Sequence, residues 1–332
     1  MVIYWYVIAS LIVMMFYYLK PVWYSLYFTY VRPLFKWILR KTTRLCELQR
    51  ICYGESHGAK RSLGIEYSLT HSRRKELQEL IKFLNKMAEE RKLYGRGLMM
   101  SVKGSLDTVL LVKKINPSVH VSFVKALSRC IEHIWGYRQI KQEITLLARM
   151  QYDSNNSEHE EKLLTLWRLL NPDLPLSSRV TKQWQTIGFQ GDDPKTDFRG
   201  MGILGLDNLL FLATEYPTVA QRVLQHSLHP QYGYAFAIVG INLTSLAYHL
   251  FQQDIVKSHV YNSCKSLPTL NVFHNFYCYL FYEFDRVWME SKPCVMEFSN
   301  IKNKFESNVR SLLRDPSVQL KMDLTMDTDT TA

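Results

Sequence analysis

The chain of 332 residues has no GxxxxGK[ST] run, no CxxC pair, no HExxH and little strand-like alternation. Each absence removes a class of function. Without the first there is no P-loop, whose backbone N–H groups cradle a nucleotide phosphate. The six cysteines (Cys46, Cys52, Cys130, Cys264, Cys278, Cys294) are widely spread and form no zinc-type cluster, so buried thiols in a reducing compartment are expected, with no metal site and no disulfide framework. His226 and His229 lack the carboxylate pattern of a metal site and read as surface or capping residues. No hairpin signal is present, which points to an all-α protein.

Negative charge is scarce at one end only. Residues 1–100 hold 17 Lys/Arg against 7 Asp/Glu, whereas residues 101–332 hold 24 against 23, so the net charge of +11 is an N-terminal property. A basic segment beside an apolar one points to an anionic membrane surface and away from nucleic acid. Residues 1–19, MVIYWYVIASLIVMMFYYL, carry no charged side chain, and about twenty apolar residues cross a hydrocarbon core as a helix. A cleaved signal peptide would need a basic n-region and a small-x-small site, and neither is present. Lys20, Arg32, Lys36, Arg40, Lys41 and Arg44 all follow the run, which places the rest of the chain on the cytosolic face of an intracellular membrane. Spanning the bilayer and lying along its interface both remain open. The expected organisation is an apolar anchor (1–31), a basic juxtamembrane and helical extension (32–104), a helical domain (105–315) and a disordered polar tail (316–332).

Helical periodicity dominates the remainder. It predicts helices over 73–93, 120–150, 153–170, 203–216, 218–227, 234–251, 269–291 and 295–315, with 53–64 as polar loop. Gly136 is a candidate bend, and Ser157 with Glu160 has capping-box spacing. The apolar run YAFAIVGINL is expected to be a buried core helix, not a second membrane span.

One stretch departs from this pattern: WQTIGFQGDDPKTDFRGMGILGL, residues 184–206. Glycine together with Asp, Pro and Thr builds an ordered, tightly turned loop. Its GMGILG matches GxGxxG, but no apolar strand precedes it, so a dinucleotide site is not expected. Asp192 and Asp193 suit turn capping better than acid/base work. Arg199 offers a planar fork of donors fit for carboxylate or phosphate, and local chemistry alone leaves it either paired with Asp197 or loop carbonyls, or presented to a partner.

Trp184, IGFQ (187–190), Pro194, TDFRG (196–200), Gly202 and LGL (204–206) together resemble the signature of the ELMO domain. CELQRI (46–51), INP (115–117), YDSNNSEHEE (152–161), LHPQYGYAFAIVGINLT (228–244) and FYCYLFYEFDRVW (276–288) extend the likeness to smaller ELMO-domain-containing proteins over roughly 32–315. The resemblance implies a single all-helical domain and a GTPase-activating protein for GTP-bound Arf-family small GTPases, Arf and Arf-like. It makes Arg199 the catalytic arginine, supplied in trans. No cofactor is implied, since the GTPase brings nucleotide and Mg²⁺. Gln190, Pro194, Thr196, Asp197, Gly200 and Gly202 take loop-support or partner-contact roles, the two glycines allowing close approach to a partner. Trp184 and Phe189 are expected as core anchors. The rivals are a non-catalytic adaptor for small GTPases or exchange factors, and a membrane tether with a docking surface.

Overall fold

The computed structural model describes residues 20–90 and 95–322, which are helical or irregular with no strand among them. The chain divides into two compact units, Met1–Glu55 and Ser56–Ala332.

In the first, a helix from Lys20 passes through a π-helical stretch, Tyr27–Val31, into α1 (Arg32–Thr43), and α2 (Glu47–Gly54) follows. No residue of α1 is buried. Trp23, Tyr24, Tyr30, Phe35 and Trp37 are all more than half exposed. Glu47 holds Lys36 at 2.5 Å and Arg32 at 3.5 Å, while Lys20, Arg40, Lys41 and Arg44 are exposed. Among the described residues no helix is long and apolar enough to cross a membrane; of the anchor expected at 1–31, residues 1–19 lie outside them.

The second unit comprises α3 (Ala59–Thr70), α4 (Lys75–Glu89), α5 (Gly95–Lys113), α6 (Val121–Arg149), α7 (Ser157–Leu170), α8 (Gly202–Glu215), α9 (Pro217–Ser227), α10 (Phe236–Gln252), α11 (Lys257–Ser263), α12 (Leu270–Ser291) and α13 (Phe298–Leu312). Its core forms around α8, whose residues GILGLDNLLFLATE are apolar nearly all round, as befits a helix enclosed by others. It packs on α6, α7, α9, α10 and α12. The run read as a core helix is α10, with Phe236, Val239, Ile241, Leu243, Leu246, Leu250 and Phe251 buried. Pro217 begins α9 where its missing N–H leaves nothing unsatisfied.

Three expectations need correction. The stretch 53–64 is not all loop: α3 starts inside it, and the Ala59 N–H is capped by Asn262 Oδ1 at 2.8 Å, from 203 positions along the chain. Gly136 does not divide α6, which runs unbroken through it. It lies buried, where an added Cβ would sit 2.6 Å from Leu267 and 2.8 Å from Pro268. The cap of α7 is Asn156, which accepts the Glu158 N–H at 2.9 Å, and Glu160 is engaged elsewhere. Of the tail expected to be disordered at 316–332, residues 316–322 are described, with Asn262 Nδ2 donating to the Pro316 carbonyl at 2.9 Å and Leu320 N–H to His259 Nδ1 at 3.0 Å, while 323–332 lie outside the described residues.

Candidate functional site

Residues 182–199 fold as two short 3-10 helices, Lys182–Ile187 and Pro194–Arg199, of the tight kind that serves as a connector. Thr181 caps the first through Gln183 N–H at 3.4 Å. Asp193 caps the second through Lys195 N–H at 3.0 Å, with Pro194 pre-set for the first helical position. The loop is also closed on itself. Thr181 N–H donates to the Asp192 carbonyl at 2.9 Å, Gln185 Nε2 to Asp192 Oδ1 at 2.9 Å, and Gln190 N–H to Asp197 Oδ2 at 2.8 Å.

Beneath the loop runs a chain of aromatic contacts. Ring centroids lie 5.2 Å apart for Trp167 and Trp184, 5.8 Å for Trp184 and Phe189, 5.6 Å for Phe189 and Phe198, and 5.5 Å for Phe198 and Tyr152. Trp184 is fully buried, and its indole N–H donates to the Arg179 carbonyl at 2.9 Å. Each such side chain contributes roughly 2–3 kcal/mol through burial, more than the roughly 0.5–1.5 kcal/mol net of a typical hydrogen bond in the loop above it.

Gly202 joins the turn to α8 with φ +52, and an added Cβ would lie 2.4 Å from the Met150 carbonyl oxygen and 2.8 Å from that of Ala148. Ile203 N–H donates to the same Met150 oxygen at 2.9 Å. The close approach expected of Gly202 toward a partner is therefore made to the C-terminal end of α6. Gly200 has φ −78 and open space where a Cβ would go. Replacing Gly202 by alanine should lower unfolding free energy by about 2–4 kcal/mol, from backbone strain plus a clash with main chain. Gly200→Ala should change it by less than about 0.5 kcal/mol, and paired urea titrations check the contrast.

Arg199 ends the second 3-10 helix and is exposed. Its Nε donates to the Thr196 carbonyl at 2.7 Å, and no ion pair engages it among the described residues. Both terminal nitrogens of its fork are thus without an intramolecular partner there. Asp197 is near enough to feel the Arg199 charge, but its carboxylate serves the Gln190 N–H instead. Burial pushes the Asp197 carboxyl above its ordinary pKa, against the opposing pull of Gln190 N–H and Arg199. Gln190 and Thr196 are exposed beside Arg199 in sequence, while Pro194, Phe189 and Trp184 are buried.

Sequence reasoning missed Arg179. Its Nε meets Glu160 Oε2 at 2.5 Å, one terminal nitrogen meets Asp193 Oδ1 at 3.0 Å, and the guanidinium lies 5.7 Å from the Tyr152 ring centroid. Tyr152 in turn donates to Glu160 Oε1 at 2.7 Å. Burial works against the Arg179 charge, but its bonds to Glu160 and Asp193 outweigh this and hold the guanidinium still more firmly protonated. Burial and the Glu160 bond raise the Tyr152 phenol. No sequence pattern announces the cluster, because Arg179 lies 14 to 27 residues from its partners.

Other candidates resolve as structure. His226 Nδ1 lies 2.7 Å from Asp285 Oδ2, and Tyr234 donates to the other Asp285 oxygen at 2.5 Å. His229 stacks on Tyr232 with centroids 3.5 Å apart. No group of three potential metal ligands occurs among the described residues.

Comparison with known proteins bears on the same region. The profile of the ELMO/CED-12 family matches residues 142–302, from late α6 into α13, with the arginine-bearing turn inside. Human ELMO domain-containing protein 2 is 42% identical over 301 residues, covering 90% of this chain and 98% of its own length. Mouse ELMO domain-containing protein 1 is 43% identical over 303 residues, covering 86% and 89%. ELMO domain-containing protein B of Dictyostelium discoideum is 35% identical over 278 residues, covering 83% and 93%. With likeness at this level over nearly the full length, and with the turn's residues in place, the chain belongs to the ELMO/CED-12 family.

Proposed function

We propose that this chain activates GTP hydrolysis by GTP-bound Arf-family small GTPases, with Arg199 supplied in trans. The observation that carries the reading is an exposed guanidinium whose terminal nitrogens have no intramolecular partner among the described residues, on a turn braced by a buried aromatic platform. Attack of water on a γ-phosphoryl group spreads negative charge over its oxygens and the leaving oxygen. A planar, permanently charged fork delivered there stabilises that charge, with a rate effect of about 10³ to 10⁵. The GTPase supplies nucleotide, Mg²⁺ and the water-positioning group, so the activator needs no phosphate cradle of its own. Gln190, Thr196 and Gly200, exposed residues of the same loop, are the proposed partner contacts.

The reading places the chain at the cytosolic face of an intracellular membrane. Exposed Trp23, Tyr24, Tyr30, Phe35 and Trp37 beside exposed Lys20, Arg40, Lys41 and Arg44 support it, since aromatic rings and cations suit the headgroup region of an anionic bilayer. Lipid-bound GTPases would be met there.

The test is single-turnover GTP hydrolysis by a panel of Arf and Arf-like GTPases, with the full chain added free or on anionic vesicles. Acceleration by about 10³ or more is expected for at least one member, greater per molecule when both proteins share a vesicle. Binding with no acceleration of any member would reduce the chain to an adaptor.

A further inference from the structure

We infer that Arg179 is a positioning residue for Arg199, a role that rests on the reading of Arg199 as the group delivered to the nucleotide. Arg199 cannot brace itself. Its own bond to Thr196 O lies within the turn, so the turn must be held from outside. Arg179 supplies that hold at two points. It grips Asp193, whose same Oδ1 caps the 3-10 helix carrying Arg199, and it shares Glu160 of α7 with Tyr152, whose ring stacks on Phe198 beside Arg199.

The chemistry favours arginine here. A planar fork can meet Glu160 through Nε and Asp193 through a terminal nitrogen at once, whereas an ammonium is a single point that cannot span both with this geometry. Side-chain exposures of 26% for Arg179, 20% for Glu160 and 33% for Asp193 leave these charges only partly screened, unlike the ordinary surface pair Arg168–Glu161 at 63% and 69%. The main chain of Arg179 is anchored as well, since its carbonyl accepts the Trp184 indole N–H. The network therefore links the cap of the turn to a helix of the domain, and both ends of the turn rest on one set of side chains.

A reacting group displaced by 1 Å loses on the order of 10²-fold in rate, so the expected signature is kinetic more than global. Arg179→Lys is compared with wild type and with Arg168→Lys, an arginine outside the network. Amide exchange in 190–200 should rise at least about tenfold in Arg179→Lys alone, with α6 and α8 as protected as in wild type. In single-turnover hydrolysis the rate at saturating activator should fall about 10- to 100-fold, with the half-saturating concentration changed by less than about threefold.

Unchanged exchange in 190–200 would overturn the inference, as would faster exchange spread through α6 and α8, which marks a residue needed only for the fold. Exchange is read without any GTPase. If wild type stimulates no GTPase, the proposed function fails while the exchange result still decides whether Arg179 holds the turn.

Discussion

Arg199→Lys is expected to keep the unfolding midpoint of wild type and to lose stimulated GTP hydrolysis by a factor of about 10³ or more. The two halves of that expectation have separate causes. Arg199 is exposed and its only side-chain hydrogen bond among the described residues goes to a neighbouring carbonyl, so its replacement falls among surface changes, worth about 0.5 kcal/mol or less. Lysine retains the charge, yet it cannot bond the Thr196 carbonyl through Nε while presenting two parallel donors outward. A drop of 10³ corresponds to about 4 kcal/mol of transition-state stabilisation, far more than any expected effect on folding. Single-turnover rates at saturating activator, beside thermal melts of both proteins, measure the two halves. Full stimulation by folded Arg199→Lys would end the assignment.

Acidification should destabilise the Ser56–Ala332 unit steeply below about pH 6.5, through three buried histidines. His133, His259 and His274 are each lowered to about 4, chiefly because burial disfavours the imidazolium. Their surroundings reinforce this: His57 and Arg129 repel a charge on His133, Lys321 one on His259, and Lys162 one on His274. His259 is also committed as a neutral base. His259 Nδ1 accepts the Leu320 N–H at 3.0 Å, a bond that protonation at that nitrogen destroys. His274 Nδ1–H donates to Asn208 Oδ1 at 2.6 Å, the same amide donating to Thr244 at 2.9 Å, so burial and the Lys162 charge, not a lost bond, disfavour its imidazolium.

The sign follows from which state binds protons first. Between pH 6.5 and about 4 the unfolded chain carries the protons and the folded chain does not, so stability present above pH 6.5 is lost as pH falls toward 4. Three such groups give a slope of up to about 4 kcal/mol per pH unit, against a total stability of about 5–15 kcal/mol for a typical domain. Asp197 and Asp207, both raised by burial, act in the opposite direction, as two groups against three. Urea titrations from pH 7.5 to 4.5 should show the slope, and His259→Gln should remove about a third of it. Equal stability at pH 7 and pH 5 would exclude the account.

Much of the architecture is legible along the chain. α8, α10 and α12 are strongly apolar over many turns, and a run of that kind can hardly do anything but fill a helical core. The motif around Arg199 is legible for a local reason: Asp193 and Pro194 are each read by the backbone a few residues away, whereas Gly202 is constrained by the distant Met150 and Ala148 carbonyls. Where a local pattern was mistaken, a distant group had taken the residue. Glu160 has capping-box spacing from Ser157, but Tyr152 and Arg179 claim its carboxylate and Asn156 caps the helix. α3 has no capping residue of its own at Gly58 because Asn262 provides the cap.

The two arginines put the division most sharply. Both lie in turn-rich sequence, both are always charged, and both have carboxylates within a few dozen residues. Periodicity and turn chemistry act over one or two turns of chain, so the residues alone determine that this protein is helical and that one braced turn carries Arg199. Pairing of charges depends on which distant side chains arrive within about 3 Å, and that is settled by packing. The folded molecule assigns Glu160 and Asp193 to Arg179 and leaves the terminal nitrogens of Arg199 unengaged among the described residues.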